Sequence, residues 1–302
     1  MTLYSHAESN IRKTWFYLTG FLVFIIFLGW LISYFVGSYF ILWVAVIYSV
    51  LTSFISYWYS DKIVLSLVRA TPIEKEDNPE LYRLVENLCI TAGLPLPRIY
   101  IISEEQPNAF ATGRNPENGV IVVTRGLLNS LERVELEGVI AHELSHIGNR
   151  DALLQTIVVV LAGVVVMVSD FFLRMGLWGK LSFRRESQQE TGIKVIVLII
   201  SLLFIVLAPL IATLIRLAIS RKREFLADAS AGLLTRYPEG LARALEKISQ
   251  SPYPMRVANN STAHLFIASP FRDKEAINWL TKLFMTHPPV EERIAALRGM
   301  KI

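Results

Sequence analysis

The 302-residue sequence has a single cysteine, Cys89. That excludes an intramolecular disulfide and a cysteine-rich zinc cluster, and a lone thiol in an amphipathic stretch reads as a buried, inert packing group. Charge is almost missing from long parts of the chain. Four windows reach the roughly 20 apolar residues that a bilayer crossing needs: Trp15 to Val36, Tyr39 to Trp58, Leu153 to Leu173 and Val195 to Ile215. Asp170 is their only charge. No internal repeat or low-complexity linker is visible. The basic residues form no stripe, and no nucleic-acid-binding pattern accompanies the net charge of +4, so nucleic acid is not an expected partner.

Apolar side chains are what the sequence has in quantity. They make up 53% of residues, and the mean hydropathy of +0.43 is too high for an ordinary soluble protein of this size. The expected fold is mainly α: a multi-pass membrane protein with four transmembrane helices and an α+β catalytic domain holding a small β-sheet. The first window lacks a small-x-small cleavage site and is followed at once by the second, so it is expected to stay in the mature chain.

Only Gly37-Ser38 separates the first two windows, which predicts a transmembrane hairpin over residues 1–59. Residues 60–152 read as the first part of a soluble domain, 153–215 as a second hairpin and 216–302 as the rest of the domain. Asn78-Pro79 places an N-cap before a proline at the first helical position, and Gly93, Pro95 and Pro97 end that helix. The β-branched runs Arg98 to Ile102 and Gly119 to Thr124 predict strands, with Asn108 to Gly113 as a short edge strand. Glu132 to Arg150 has helical periodicity and is expected to run on into the third window as one long helix. Arg216 to Ser249 is expected to be helical, Ser251 to Pro270 loop-like, and helices are expected around Lys274 to Phe284 and Glu291 to Arg298.

If all four windows cross, one side holds 25 of the 30 Lys and Arg residues and the other holds five. The richer side is the cytoplasmic one. Arg174, Lys180, Arg184 and Arg185 crowd a short loop assigned to the poorer side. Either that loop is tolerated there, or the third and fourth windows stop short of a full crossing.

The chemistry begins at His142-Glu143-Leu144-Ser145-His146. Histidines four apart on a helix share one face, so both imidazoles can reach one ion, which zinc suits. Glu143, turned about 100° from His142, lies beside that ion, where it can take a proton from bound water. A third ligand must come from another helix, and Glu224 with Asp228 offers the same four-residue spacing. Read alone, Glu224 is an exposed acid beside Arg221 and Lys222. Read with the histidines, it sits at a matching height: at 1.5 Å per residue, His146 and Glu224 lie about 10 and 14 Å above one membrane surface. Asp228 is placed to orient a ligand histidine through its second ring nitrogen.

"HELSHIGNRD", "REFLAD" and "THPPVEERIAAL" resemble the HtpX-type membrane zinc metalloproteases, relatives of the CAAX prenyl endoproteases, over nearly the whole chain. The resemblance implies a zincin-like endopeptidase in the cytoplasmic (inner) membrane of a prokaryote, with its site facing the cytoplasm and one Zn2+ per chain. It implies His142, His146 and Glu224 as zinc ligands, Glu143 as catalytic base, and polypeptide substrates that are damaged or misassembled membrane proteins. By the same resemblance Asn108, Ala109, Phe110 and Ala111 receive substrate backbone by β-augmentation, and His287 in "THPP" stabilises the oxyanion. His264, in "STAHLFIASPF", falls in a loop near the cleft. Two other functions fit the motif less well: a processing protease of the CAAX type, and a zinc-stabilised membrane scaffold, which would have no need of Glu143 and would close the fourth metal position.

Overall fold

The computed structural model describes residues 3–164, 221–258, 262–270 and 288–300. The window Val195 to Ile215, Asp170, the basic loop from Arg174, the helix expected around Lys274 to Phe284, and His287 lie outside these residues.

Helices α1 (Leu3–Val36) and α2 (Tyr39–Leu67) form the expected hairpin, turning at Gly37 in a left-handed conformation. Both are long and apolar enough to cross a membrane. Their large side chains, including Phe16, Tyr34, Phe40 and Trp43, are exposed, as a surface made for lipid would be. Small residues bring the two helices together: a Cβ on Gly29 would collide with the Ala45 methyl.

The body follows as β1 (Thr71–Pro72), α3 (Pro79–Ala92), β2 (Arg98–Ile102), β3 (Ala109–Thr112), a 3-10 turn (Pro116–Asn118), β4 (Val120–Thr124), α4 (Arg125–Ser130) and α5 (Arg133–Gly148). Asn78 caps α3 by accepting from Leu81 N–H at 3.0 Å, and Gly93 ends it in the left-handed region, as the sequence signals require. The sheet order is β1-β2-β4-β3: β2 pairs parallel with β4, and β1 and β3 are antiparallel edges. Every residue of β4 is buried because both sheet faces are covered. Ile121, Val123, Ala109 and Ala111 face the core built with α3 and α5. Val120, Val122, Phe110 and Ile102 face a second core containing Val64, Leu65 and Val68 from the end of α2. The alternation of period two thus fixes the membrane hairpin to one face of the sheet and the chemistry-bearing helix to the other.

The one long helix expected from Glu132 into the third window is broken. α5 does not run into the third window: after Gly148 the chain bends by 78° into α6 (Asp151–Val164), with Arg150 at φ +59°. The described part of this window is buried against the protein, Leu153, Ile157 and Leu161 packing on Leu18 of α1. Among the described residues two helices qualify individually as spans, and up to three if the bent pair counts as one. The stretch expected to be helical is so as two helices, α7 (Arg221–Thr235) and α8 (Pro238–Gln250), separated at Arg236, φ +53°, just before Tyr237-Pro238. A proline ring clashes with a continued helix, so the separation follows from local sterics. The last described helix is α9 (Val290–Arg298).

Candidate metal centre

α5 carries the histidine pair, and its packing sets where the pair points. Gly138 lets α5 approach α8 closely, since a Cβ there would lie 2.7 Å from Leu241 N. Glu135 accepts from Glu132 N–H at 2.8 Å at the helix start, and Lys247 of α8 binds Glu135 at 2.7 Å. α5 also packs against α7, α3 and β3.

His142 and His146 are buried with their Nε2 atoms 3.1 Å apart and their rings perpendicular. Glu224 of α7 completes the triangle: its Oε2 is 3.7 Å from His142 Nε2, and its Oε1 is 3.7 Å from His146 Nε2. Glu224 is 1% exposed, so it is not the surface acid that its neighbours Arg221 and Lys222 suggested. An ion about 2.0 to 2.2 Å from each of three tetrahedrally placed ligands separates them by a little over 3 Å. The two-nitrogen, one-oxygen donor set and its spacing fit zinc, and the three residues can hold a metal ion together.

Around the triangle stands a ring of charge, partly legible from the sequence. Asp228 Oδ1 lies 2.9 Å from His142 Nδ1. Asp228 is gripped in turn by Arg293 of α9, whose Nε donates to Oδ2 at 2.8 Å and Nη2 to Oδ1 at 2.7 Å. Arg293 is 1% exposed and also lies 3.7 Å from Glu224. On the other flank Asp151 Oδ2 is 3.4 Å from His146 Nδ1, while Asn10 of α1 donates to Asp151 Oδ1 at 2.7 Å and Arg223 approaches it at 3.5 Å. Arg293, Asp151 and Asn10 were not singled out from the sequence. For Asp151 a signal existed: Gly148-Asn149 breaks the helix and returns the fifth residue after His146 toward its ring.

Titration differs around the site. Burial holds the His142 imidazole below its ordinary value, leaving a neutral nitrogen for a metal. Burial also raises the Glu143 carboxyl to about 7, an effect moderated by His146, Arg293 and a hydrogen bond from the Ala111 backbone. A carboxyl so poised suits proton transfer near neutrality.

The edge strand is where it was expected, but much of it is engaged. Ala109 C=O accepts from Ile267 N–H at 2.9 Å, and Asn108 Nδ2 donates to Ala268 C=O at 3.0 Å. The Phe110 ring is fully buried edge-on against Phe266, so its side chain serves the core. What β3 turns toward the site is the Ala111 main chain, which bonds Glu143; both backbone groups of Ala109 are held by Ile267 and Asn108. The Cys89 thiol is buried, which pushes it up to about 11, as an inert packing group requires.

Residues 75–301 match Peptidase family M48. The chain is 45% identical over 300 residues to a protease HtpX homologue of Thermoanaerobacter pseudethanolicus, covering 99% of this chain and 98% of that one. It is 48% identical over 305 residues to the homologue of Dictyoglomus turgidum, covering 99% and 95%, and 46% identical over 284 residues to that of Pyrococcus furiosus, covering 93% and 92%. Among solved structures, S. mikatae Ste24p is similar with a TM-score of 0.49 and 20% identity, over 98% of this chain and 66% of that one. Apolar hairpin, buried ligand triangle, the family match and the protease HtpX homologues together define a membrane-associated metalloprotease, a hydrolase acting on polypeptides. The chain belongs to peptidase family M48.

Proposed function

We propose that this protein is a zinc-dependent endopeptidase of the prokaryotic cytoplasmic membrane, cleaving membrane or misfolded proteins, with its site facing the cytoplasm. The observation carrying the reading is the buried triangle of His142, His146 and Glu224 with Glu143 beside it on the same helix. One zinc ion held there would polarise a substrate carbonyl and lower the pKa of a water to about 7. Glu143 accepts the proton of the attacking water and delivers it to the leaving amine. Asp228 and Asp151 fix the rings of His142 and His146 from behind. The Ala111 backbone, on the part of β3 that Ile267 leaves open, would align an extended substrate, and His287 would assist the developing oxyanion.

The orientation rests on charge: Arg12 and Lys13 precede the first span, Lys62 follows the second, and the Gly37-Ser38 turn has no charge. The domain division expected from the sequence, two membrane hairpins alternating with two parts of one catalytic unit, accords with Glu224 joining the histidines from the far side of residues 153–215.

The test is purification in mild detergent under chelation, followed by zinc addition with an unfolded protein substrate. Cleavage should appear only with zinc. Glu143→Gln should keep the metal and abolish cleavage, while His142→Ala or Glu224→Ala should lose both. Proteolysis persisting in a clean Glu143→Gln preparation would overturn the assignment of the base.

A further inference from the structure

Away from the metal centre, a cavity of about 690 Å³ opens between the lower end of α2 and the β2/β4 end of the sheet. Phe54, Trp58 and Lys62 of α2 form one wall, and Arg98 and Arg114 approach from the body. We propose that this groove binds the phosphate of an anionic phospholipid, with an acyl chain lying along Phe54 and Trp58.

Depth is the first argument, and it rests on α2 crossing the bilayer. From Tyr39 to Trp58 a helix rises about 30 Å, the thickness of a hydrocarbon core. Asp61 and Lys62 are the first charges on α2, so the groove spans the level at which acyl chain gives way to headgroup. Trp15 of α1 stacks on Tyr57 of α2 at 5.4 Å, adding to an aromatic belt at that level.

Charge is the second argument. Arg98 is paired with Asp61 at 2.6 Å, so those two cancel. Lys62 and Arg114 then face one carboxylate, Glu117, leaving a positive balance. The Arg114 guanidinium lies 4.5 Å from the centroid of the Trp58 ring, which positions its charge at the junction of apolar wall and polar floor. A free anion would match the cations and leave the exposed face of Phe54, which packs on Trp58, uncovered. A lipid matches both.

Native mass spectrometry of the full chain, released from detergent carrying equal phosphatidylglycerol and phosphatidylcholine, reads the preference directly. The unaltered protein should retain phosphatidylglycerol several-fold over phosphatidylcholine. Each of Lys62→Gln and Arg114→Gln should cut that retention about fivefold, as for one basic residue at an anionic surface. Lys62 is exposed, so its variant folds whatever Arg114→Gln does. Equal retention of the two lipids, or retention unchanged in the Lys62→Gln protein, would overturn the proposal. Displacement of phosphatidylglycerol by millimolar inorganic phosphate would also overturn it, showing a free-anion site. Zinc-dependent cleavage by the same preparations keeps this result separate from the catalytic reading.

Discussion

Arg293 and Asp228 form a two-pronged ion pair, 2.8 and 2.7 Å long, in the interior beside the metal triangle. Asp228 touches His142 and Arg293 touches Glu224, so one guanidinium neutralises acids that would otherwise crowd the site. Removing one partner of such a pair leaves a buried charge alone, at about 3 to 5 kcal/mol. Arg293→Ala should therefore lower the unfolding temperature sharply in thermal denaturation. Arg293→Lys keeps the charge and loses the fork, so it should fall between the two. An Arg293→Ala protein as stable as the unaltered one would refute the pair's structural weight.

Asp151 performs on His146 the service that Asp228 performs on His142. Replacing such a partner of a metal-bound histidine typically weakens metal affinity 10- to 100-fold. Asp151→Asn should show that loss in competition with a chelator of known affinity. Asn10→Ala, one step further out, should show a smaller loss, because Arg223 still approaches Asp151.

The two histidines should respond differently to pH in the metal-free protein. Burial opposes charge on His146, but its hydrogen bond to Asp151 and the nearby Glu224 and Glu143 carboxylates prevail and raise it to about 9. Zinc must displace that proton at neutral pH, so affinity should rise with pH toward 9. The raised value also stabilises the metal-free fold, fully below the unfolded value near 6.5 and no longer once pH has passed about 9. Calorimetric zinc titration at pH 7.5 in two buffers of different ionisation enthalpy should reveal a proton released; identical heats would contradict it.

Gly138 predicts a packing effect without any chemistry of its own. Gly138→Val would press against the Leu241 backbone and tilt α5 off α8, costing about 1 to 3 kcal/mol. Denaturant unfolding should report the loss, and zinc binding should weaken with it because the ligand helix moves.

The triangle was legible because its logic is local: residues four apart on a helix share a face whatever the rest of the chain does. Glu224 could be found as well, from its expected height above the surface that holds His146. Arg293 and Asp151 were harder to find, because a lone Arg in "EERIAAL" has the appearance of a solvated helix face, and only tertiary packing buries it. The bend at Arg150 escaped because apolar periodicity runs on through it; the residue that takes the positive φ is an arginine, next to a Gly-Asn pair better suited to it. Arg98 to Ile102 and Gly119 to Thr124 both showed only as β-branched runs, and that β4 is buried on both faces follows from packing that no run displays.

The bond from Asn10 to Asp151 bears on how the enzyme can be handled. Trimming a membrane protein to a soluble fragment assumes that the anchor and the catalyst are separable parts. Here, cutting away α1 would strip Asp151 of a donor and bare Leu153, Ile157 and Leu161 to water. The shortened protein would be both a weaker zinc binder and prone to aggregate, so the membrane helix is better regarded as a brace behind the active site than as its tether.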